Sequence, residues 1–336
     1  MSNSYPHILI IQTAFIGDVI LATSLIESLA TAKLSQKIDI LVRQGNESLL
    51  QGNPHINKVL AWDKKNKKYR HLFFVLKEIR KQKYDLIINV QRFASTGFLT
   101  AFSGAKEKSG FGKNPFSFAF TKVVQHDISQ KSQHHEITRN HELIADFQGI
   151  SNKALTPKLY PSAADYETVN KYISNEYIVI APGSVWFTKQ FPKEKWIEVV
   201  RGLPMELKVI FIGGGEEKPL SDEIILASKN KKCINLCGQL TFMESAALMQ
   251  KAKRCLVNDS APLHIASAVN ARTTAIFCST IPEYGFGPLS EDSIIVESQE
   301  KLECRPCGLH GKKSCPEQHF DCGYKISVND IINSIE

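Results

Sequence analysis

Residues 10–29 read "IIQTAFIGDVILATSLIESL". The stretch leaves an apolar run, "HILIIQ" (7–12), turns through Thr13 to Gly17, and re-enters an apolar pattern at helical spacing. A strand, a glycine-containing turn and a helix make one βα unit. The first charge after the strand is Asp18. At helical spacing Asp18 shares a face with Ala22, Leu25 and Leu29. Aspartate is a favoured helix N-cap, yet Leu21 stands where a capping-box acid would follow an N-cap at position 18. A carboxylate at the mouth of a buried stripe, just past a strand, is also a candidate base. The pattern leaves both roles open.

The same alternation runs along the chain. Strands are predicted at 7–12, "KIDILV" (37–42), "KVLAW" (58–62), "DLIINV" (85–90), "YIVIAP" (177–182), "LKVIFIGG" (207–214), "KCINLC" (232–237), "RCLVND" (254–259) and "RTTAIFCS" (272–279). Helical patterns cover 19–33, 70–82, 192–202, 216–229 and 242–252. Near-continuous short apolar runs suit parallel strands covered on both faces, and their alternation with helices predicts βαβ units. The series restarts near 177, after the polar stretch "YPSAADYETVNKYISNEY" (160–177), and a linker is read at about 160–176. The expectation is an α/β chain of two Rossmann-like domains, 1–165 and 166–336, facing each other across a cleft. Ligands in such sheets bind beyond the carboxyl ends of the strands.

Composition narrows the classes. The 336 residues are 43% hydrophobic and 22% charged, which excludes a disordered chain. No apolar run is long enough to span a bilayer, and "MSNSYPH" lacks a secretory pattern, so a cytoplasmic location is expected. The eight cysteines read as cytosolic thiols. The net charge is +7, and its excess is local: ten Lys/Arg lie between Lys58 and Lys83 against Asp63 and Glu78 alone. That run is either a solvated surface or a seat for an anionic partner, such as a phosphorylated lipid or a membrane face. Nucleic acid ranks lowest, because zinc-finger, RNP-type and helix-turn-helix patterns are absent.

Four strand-end loops carry candidate chemistry. "QTAFIGD" (12–18) is neither G-x-G-x-x-G nor a P-loop, which weakens the dinucleotide and NTPase readings. "APGSVWFTKQFPKEKW" (181–196) offers Ser184, Thr188 and Lys189 to an anion. "FIGGGEEKPLSDE" (211–223) combines close backbone approach with Glu216 or Glu217 for ribose hydroxyls. In "CLVNDSAPLHIASAV" (255–269), Pro262 suits a first helical turn, and Asp259, Ser260 and Ala261 place backbone N–H groups at a positive helix end, with His264 beside them. Diphosphate and ribose features in the second half, and one carboxylate with a basic surface in the first, suit a nucleotide-sugar glycosyltransferase. A diphosphate leaving group needs charge stabilisation more than protonation, so one general base suffices. The DxD metal motif is absent from the expected strand ends, so neither metal nor cofactor is expected.

At these loops, and in "NVQRFASTGFLTAFSGAKEKSGFG" (89–112) and "HEITRNHELIADFQGI" (135–150), the sequence resembles glycosyltransferase family 9, the lipopolysaccharide heptosyltransferases. The resemblance spans nearly the whole chain. It implies a two-domain GT-B fold whose C-terminal helix packs back on the first domain, and an inverting, metal-independent reaction with ADP-heptose as donor. It further implies Asp18 as the base, Lys189 in the "GSxWxxKxW"-like stretch, a diphosphate site at Asp259, Ser260, Ala261 and His264, and an adenine contact at Leu240 and Thr241. Ser184 and an acid among Glu216 and Glu217 complete the donor set. The acceptor, a lipid-linked phosphorylated core oligosaccharide, is expected at Lys64, Lys65, Lys67, Lys68 and Arg92, with peripheral contact at the inner membrane face. Ala261 replaces the family's usual glycine, and Phe191 its usual tryptophan. Cys304, Cys307, Cys315 and Cys322 are spaced C-x2-C-x7-C-x6-C. The first pair has zinc-ligand spacing, but a reduced thiol cluster is the expected reading and structural zinc the alternative. Other enzymatic readings are a UDP- or GDP-sugar transferase or an epimerase. A non-catalytic nucleotide-sugar binder is the alternative from another class.

Overall fold

A computed structural model describes residues 5–66, 68–129, 134–173, 176–230 and 232–336. The chain divides into two compact units, Met1–Tyr160 and Pro161–Glu336. The first runs β1 (His7–Ile11), α1 (Ile16–Thr31), β2 (Lys37–Arg43), β3 (Ile56–Trp62), α2 (Lys68–Gln82), β4 (Leu86–Asn89), α3 (Ala94–Ala101), β5 (Glu107–Phe111), β6 (Lys122–Val124) and α4 (Glu136–His141). Its sheet order is β3-β2-β1-β4-β5-β6, with every pairing parallel. That is the doubly wound 3-2-1-4-5-6 arrangement, whose strand order reverses between the first and fourth strands.

The second unit repeats the plan. It runs α5 (Ala163–Asn170), β7 (Tyr177–Ala181), α6 (Lys193–Gly202), β8 (Lys208–Phe211), α7 (Lys218–Ser228), β9 (Cys233–Asn235), α8 (Phe242–Gln250), β10 (Arg254–Asn258), α9 (Ala261–Ala268), β11 (Thr273–Phe277), β12 (Ser293–Glu297), α10 (Asp321–Tyr324) and α11 (Val328–Asn333). The sheet order β12-β11-β10-β7-β8-β9 is again parallel throughout and is the same winding, with its switch point between β7 and β10.

Apolar continuity builds both sheets. In β1 the residues Ile8 to Ile11 are fully buried, and in β7 Ile178 to Ile180 are. One face of the first sheet packs Leu9, Ile11, Leu41 and Trp62 against Leu72, Val75 and Ile79 of α2. In the second unit Ile178, Ile180 and Phe211 meet Trp196 and Val199 of α6, with Ile331 of α11 and Ile335 just beyond it in the same cluster. The C-terminal helix α11 thus packs on α6 of its own unit. Helix α1 is buried from Val19 to Leu29, so it needs polar partners inside: Ser24 Oγ donates to Leu155 O at 2.6 Å, and the Glu27 carboxylate accepts from Tyr160 OH at 2.8 Å.

Two expectations change. The predicted linker holds α5, opened by a capping box in which Ser162 and Asp165 satisfy each other's backbone, and packed on α8. The chain also adds β5, β6 and β12, strands too short or too mixed in character to read from apolar runs. Among the described residues, no helix is long and apolar enough to cross a membrane.

Candidate active site

In the first unit the loop after β1 lies at the switch point and is held by three neighbouring strand ends. Asn46 Nδ2 donates to Ala14 O at 3.2 Å, and Lys64 Nζ donates to Thr13 O at 2.7 Å. Gln91 Nε2 donates to Gln12 Oε1, which also accepts from the Ala14 N–H at 3.2 Å. Helix α1 begins two residues before Asp18, with Phe15 as its N-cap, so Asp18 stands at the third helical position. Its carboxylate reaches back to accept from the Phe15 N–H at 3.2 Å. Asp18 is therefore the acid of the capping position rather than the N-cap, which corrects the reading that set Leu21 against it. It is half-buried, at the head of the buried helix.

Lys64 departs from its expected place on an open basic surface. Its ammonium turns inward to Thr13 and lies 4.7 Å from the Trp62 ring centroid. Burial, with Arg43 and Lys68 nearby, pushes its pKa down from 10.5 to about 8. Lys65 and Lys68 are exposed, and Arg92 is half-buried in the loop after β4. Lys67 lies outside the described residues. Thr13 Oγ1 and Gln91 Oε1 are buried beside this loop without a hydrogen-bond partner among the described residues. Gln12, Asn46 and Gln91 are site residues that the sequence reading missed, since single amides at strand ends carry no pattern.

In the second unit the predicted donor residues follow strand ends: Ser184 and Lys189 come after β7, Glu216 and Glu217 after β8, Leu240 and Thr241 after β9, and Asp259, Ser260, Ala261 and His264 after β10. Lys189 Nζ lies 2.7 Å from Asp259 Oδ2, with the two side chains 14% and 7% exposed. Thr280 Oγ1 donates to the same carboxylate oxygen at 2.6 Å. Asn258 clamps the loop after β7: its Nδ2 donates to Pro182 O at 2.7 Å, and its Oδ1 accepts from the Phe191 N–H at 3.0 Å. Gln190 Nε2 donates to Ser184 O at 2.6 Å, and Ser184 stays half-buried. Phe191, in the tryptophan position of the resemblance, is buried edge-on against Trp196 at 5.2 Å.

Glu217 is the acid turned toward this loop. A Cβ on Gly183 would sit 2.2 Å from Glu217 Cγ, so glycine is what lets that side chain lie over the loop. Glu216 is exposed. Leu240 is half-buried, and Thr241 caps α8, accepting from the Glu244 N–H at 3.1 Å. Ser260 and Ala261 head α9, and His264 is buried in its first turn. One expectation is corrected here: the Asp259 N–H donates to Ile276 O at 3.2 Å and belongs to the sheet rather than to the anion site.

The cysteine-containing segment braces the turn that carries Lys189. Thr188 N–H donates to Lys312 O at 3.1 Å, and Lys312 N–H returns to Thr188 Oγ1 at 2.8 Å. Ser279 Oγ also donates to Thr188 Oγ1, at 2.9 Å. Arg305 donates to Thr280 O at 2.8 Å and forms an ion pair with Glu297 at 2.5 Å. Cys322 is buried in the second core, its thiol pushed up to about 12 by burial, and Cys315 packs against that core. Among the described residues, no group of three or more His, Cys, Asp and Glu is arranged to hold a metal.

Two parallel doubly wound sheets with polar loops at both switch points delimit the comparison with known proteins. The model of Glycosyltransferase family 9 (heptosyltransferase) matches residues 73–319. The chain belongs to glycosyltransferase family 9. A family relative, lipopolysaccharide heptosyltransferase 3 of Escherichia coli, is 27% identical over 277 residues, covering 79% of this chain and 82% of its own. The solved glycosyl transferase family 9 protein of Veillonella parvula superposes with a TM-score of 0.84 at 20% identity, over 99% of this chain and 97% of its own. The Escherichia coli ADP-heptose lipopolysaccharide heptosyltransferase II does so with a TM-score of 0.80 at 18% identity, over 98% and 97%. These likenesses establish the α/β GT-B fold, and family membership makes the chain a glycosyltransferase.

Proposed function

We propose that this glycosyltransferase moves heptose from ADP-heptose to a phosphorylated, lipid-linked inner-core sugar of lipopolysaccharide, with inversion and without a metal. The observation that carries the reading is the placement of chemistry at both switch points: a backbone-anchored carboxylate after β1, and a Lys–Asp pair with a helix end after β7 and β10. The names of the relatives supply the sugar and the acceptor class.

In the proposed reaction the Asp18 carboxylate takes the proton of the acceptor hydroxyl as its oxygen attacks the anomeric carbon. The bond to the diphosphate breaks, and ADP leaves with the electron pair. Lys189, oriented by Asp259, and the N–H groups heading α9 balance the charge that grows on the leaving oxygen. Glu217 accepts from the ribose hydroxyls, and Leu240 with Thr241 borders the adenine. Ser184 and His264 complete the diphosphate contacts. Lys64, Lys65, Lys68 and Arg92 meet the acceptor phosphates; Lys67 joins them as a reading of the sequence alone.

Thermal shift with ADP, UDP and GDP tests the donor. ADP should stabilise the chain most, and a preference for UDP or GDP would overturn the assignment. Asp18→Asn tests the base. Asparagine can still accept from the Phe15 N–H, so the helix start and donor binding should survive while transfer falls by roughly 10²–10⁴-fold. Unchanged transfer would remove Asp18 from that role.

A further inference from the structure

Two phenylalanines end the switch-point loops of the first unit. The strands β1 and β4 are neighbours, with Ile11 and Asn89 in register at their carboxyl ends. Four residues beyond each stands a phenylalanine: Phe15 is the N-cap of α1, and Phe93 is the N-cap of α3. Helix N-caps favour Ser, Thr, Asp and Asn, whose side chains accept from the first turn. Neither phenylalanine side chain makes such a bond. Neither gains by burial instead, since Phe15 and Phe93 are 66% and 61% exposed. Two apolar N-caps that serve neither the helix nor the core, on loops held by a rigid sheet, are placed as binding residues are.

The backbone that carries both rings is fixed. The Phe15 N–H donates to Asp18 at 3.2 Å, and Phe15 O accepts from the Val19 N–H at 3.2 Å. Phe93 O accepts three bonds, from the Gly97 N–H at 3.1 Å, Thr96 Oγ1 at 2.9 Å and Asn114 Nδ2 at 3.2 Å. Asn114 Nδ2 also donates to Gln91 O at 3.0 Å, and Gln91 ties this loop to Gln12 of the β1 loop. Asn114 reaches that position because residue 97 is glycine; a Cβ there would overlap its amide. Glycine inside a helix weakens it, so α3 gives up helix propensity to hold the loop that ends in Phe93. Asp18 lies three residues past Phe15, and the half-buried Arg92 immediately precedes Phe93.

We propose that Phe15 and Phe93 stack on the apolar face of the acceptor's sugar ring, so that its reacting hydroxyl meets Asp18 and its phosphate meets Arg92. The proposal rests on the reading of the first unit as the acceptor side. A pyranose is amphipathic, with C–H groups on its faces and hydroxyls around its rim. The negative face of an aromatic ring attracts those C–H groups. Phenylalanine has no polar tip, so it suits the face of the sugar rather than the rim. A hydrocarbon chain fits this place poorly, because the carboxylate of Asp18 and the guanidinium of Arg92 beside the rings would lose water without gaining a partner.

Saturation-transfer NMR of the full chain tests it without donor. The probe is core oligosaccharide from heptose-deficient lipopolysaccharide, stripped of acyl chains and phosphates. Its ring C–H protons should receive the saturation, and Phe15→Ala with Phe93→Ala should weaken binding by roughly tenfold or more. In initial rates with the intact acceptor and ADP-heptose, either single alanine variant should raise acceptor KM by roughly fivefold. Donor KM and the thermal midpoint should stay at parent values, because both rings are exposed and their backbone bonds remain. Phe15→Trp and Phe93→Trp should keep acceptor KM within about twofold, whereas Phe15→Leu and Phe93→Leu, apolar but not flat, should raise it as alanine does. A stripped oligosaccharide that does not bind the parent would overturn the proposal, as would leucine variants that match the parent. So would an effect confined to acylated acceptor, or a donor KM that moves as far as acceptor KM. Absence of transfer from ADP-heptose would count against the proposed donor alone, because the NMR measurement contains no donor.

Discussion

Lys189 and Asp259 form a pair whose structural and chemical contributions separate by mutation. At 2.7 Å, with 14% and 7% exposure, the two charges are largely withdrawn from water. Removing one partner of a buried pair costs roughly 3–5 kcal/mol, because the other charge is left uncompensated. The remaining exposure of Lys189 argues for the lower end, so Lys189→Met should cost about 3 kcal/mol. For a unit of this size that lowers the thermal midpoint by roughly 6–12 °C. Replacing the whole cluster with apolar groups, as Lys189→Met, Asp259→Leu and Thr280→Val together, removes the stranded carboxylate and the Thr280 hydroxyl that donates to it. Stability should return to within about 1 kcal/mol of the parent, since apolar replacement of a buried pair is often neutral. Transfer should stay depressed by on the order of a hundredfold or more, because the charge proposed to balance the leaving group is gone. Melting curves and initial transfer rates on the same preparations read the two effects. A single variant that melts like the parent would refute the burial argument. A triple variant that regains transfer would make Lys189 purely structural.

Two further outcomes follow from the site geometry. Lys64 titrates near pH 8 and carries its charge below that value, so acceptor KM should be lowest below pH 8 and rise above it. Lys64→Arg should flatten that rise, because a guanidinium stays charged; a parent profile without the rise would refute Lys64 as an acceptor contact. Between about pH 8 and 10.5 the unfolded chain binds the extra proton at this site, so Lys64 contributes stability that increases with pH across that window. Gly183→Ala would press a Cβ to 2.2 Å from Glu217 Cγ, destabilising by roughly 1–3 kcal/mol and raising donor KM. Adding Glu217→Ala should relieve the strain without restoring donor affinity; full recovery of affinity would exclude Glu217 from the nucleotide site.

The doubly wound plan was legible wherever strands are buried on both faces. The runs at β1, β4, β7 and β10 are near-continuously apolar for that reason. The outer strands resist reading: "EKSGF" of β5 is polar at one end, and its Gly110 leaves space for the Phe120 ring lying over it. Helix α5 was readable from its S-x-x-D signal, but the polar composition around it reads as a linker. At the site, sequence places residue types on loops, and only packing decides where they point. Lys64 and Lys68 look alike in a basic run, yet one turns inward to Thr13 and the other stays exposed. The role of Asn258 depends on contacts 67 to 77 residues away in the chain, which no local pattern carries.

The most direct measurement incubates the purified chain with ADP-heptose and heptose-deficient lipopolysaccharide core, and follows the acceptor by mass spectrometry together with ADP release. The account predicts that the acceptor gains one heptose for each ADP released, and that Asp18→Asn slows both by roughly 10²–10⁴-fold. An acceptor of unchanged mass, or heptose transfer that persists undiminished in Asp18→Asn, would contradict it.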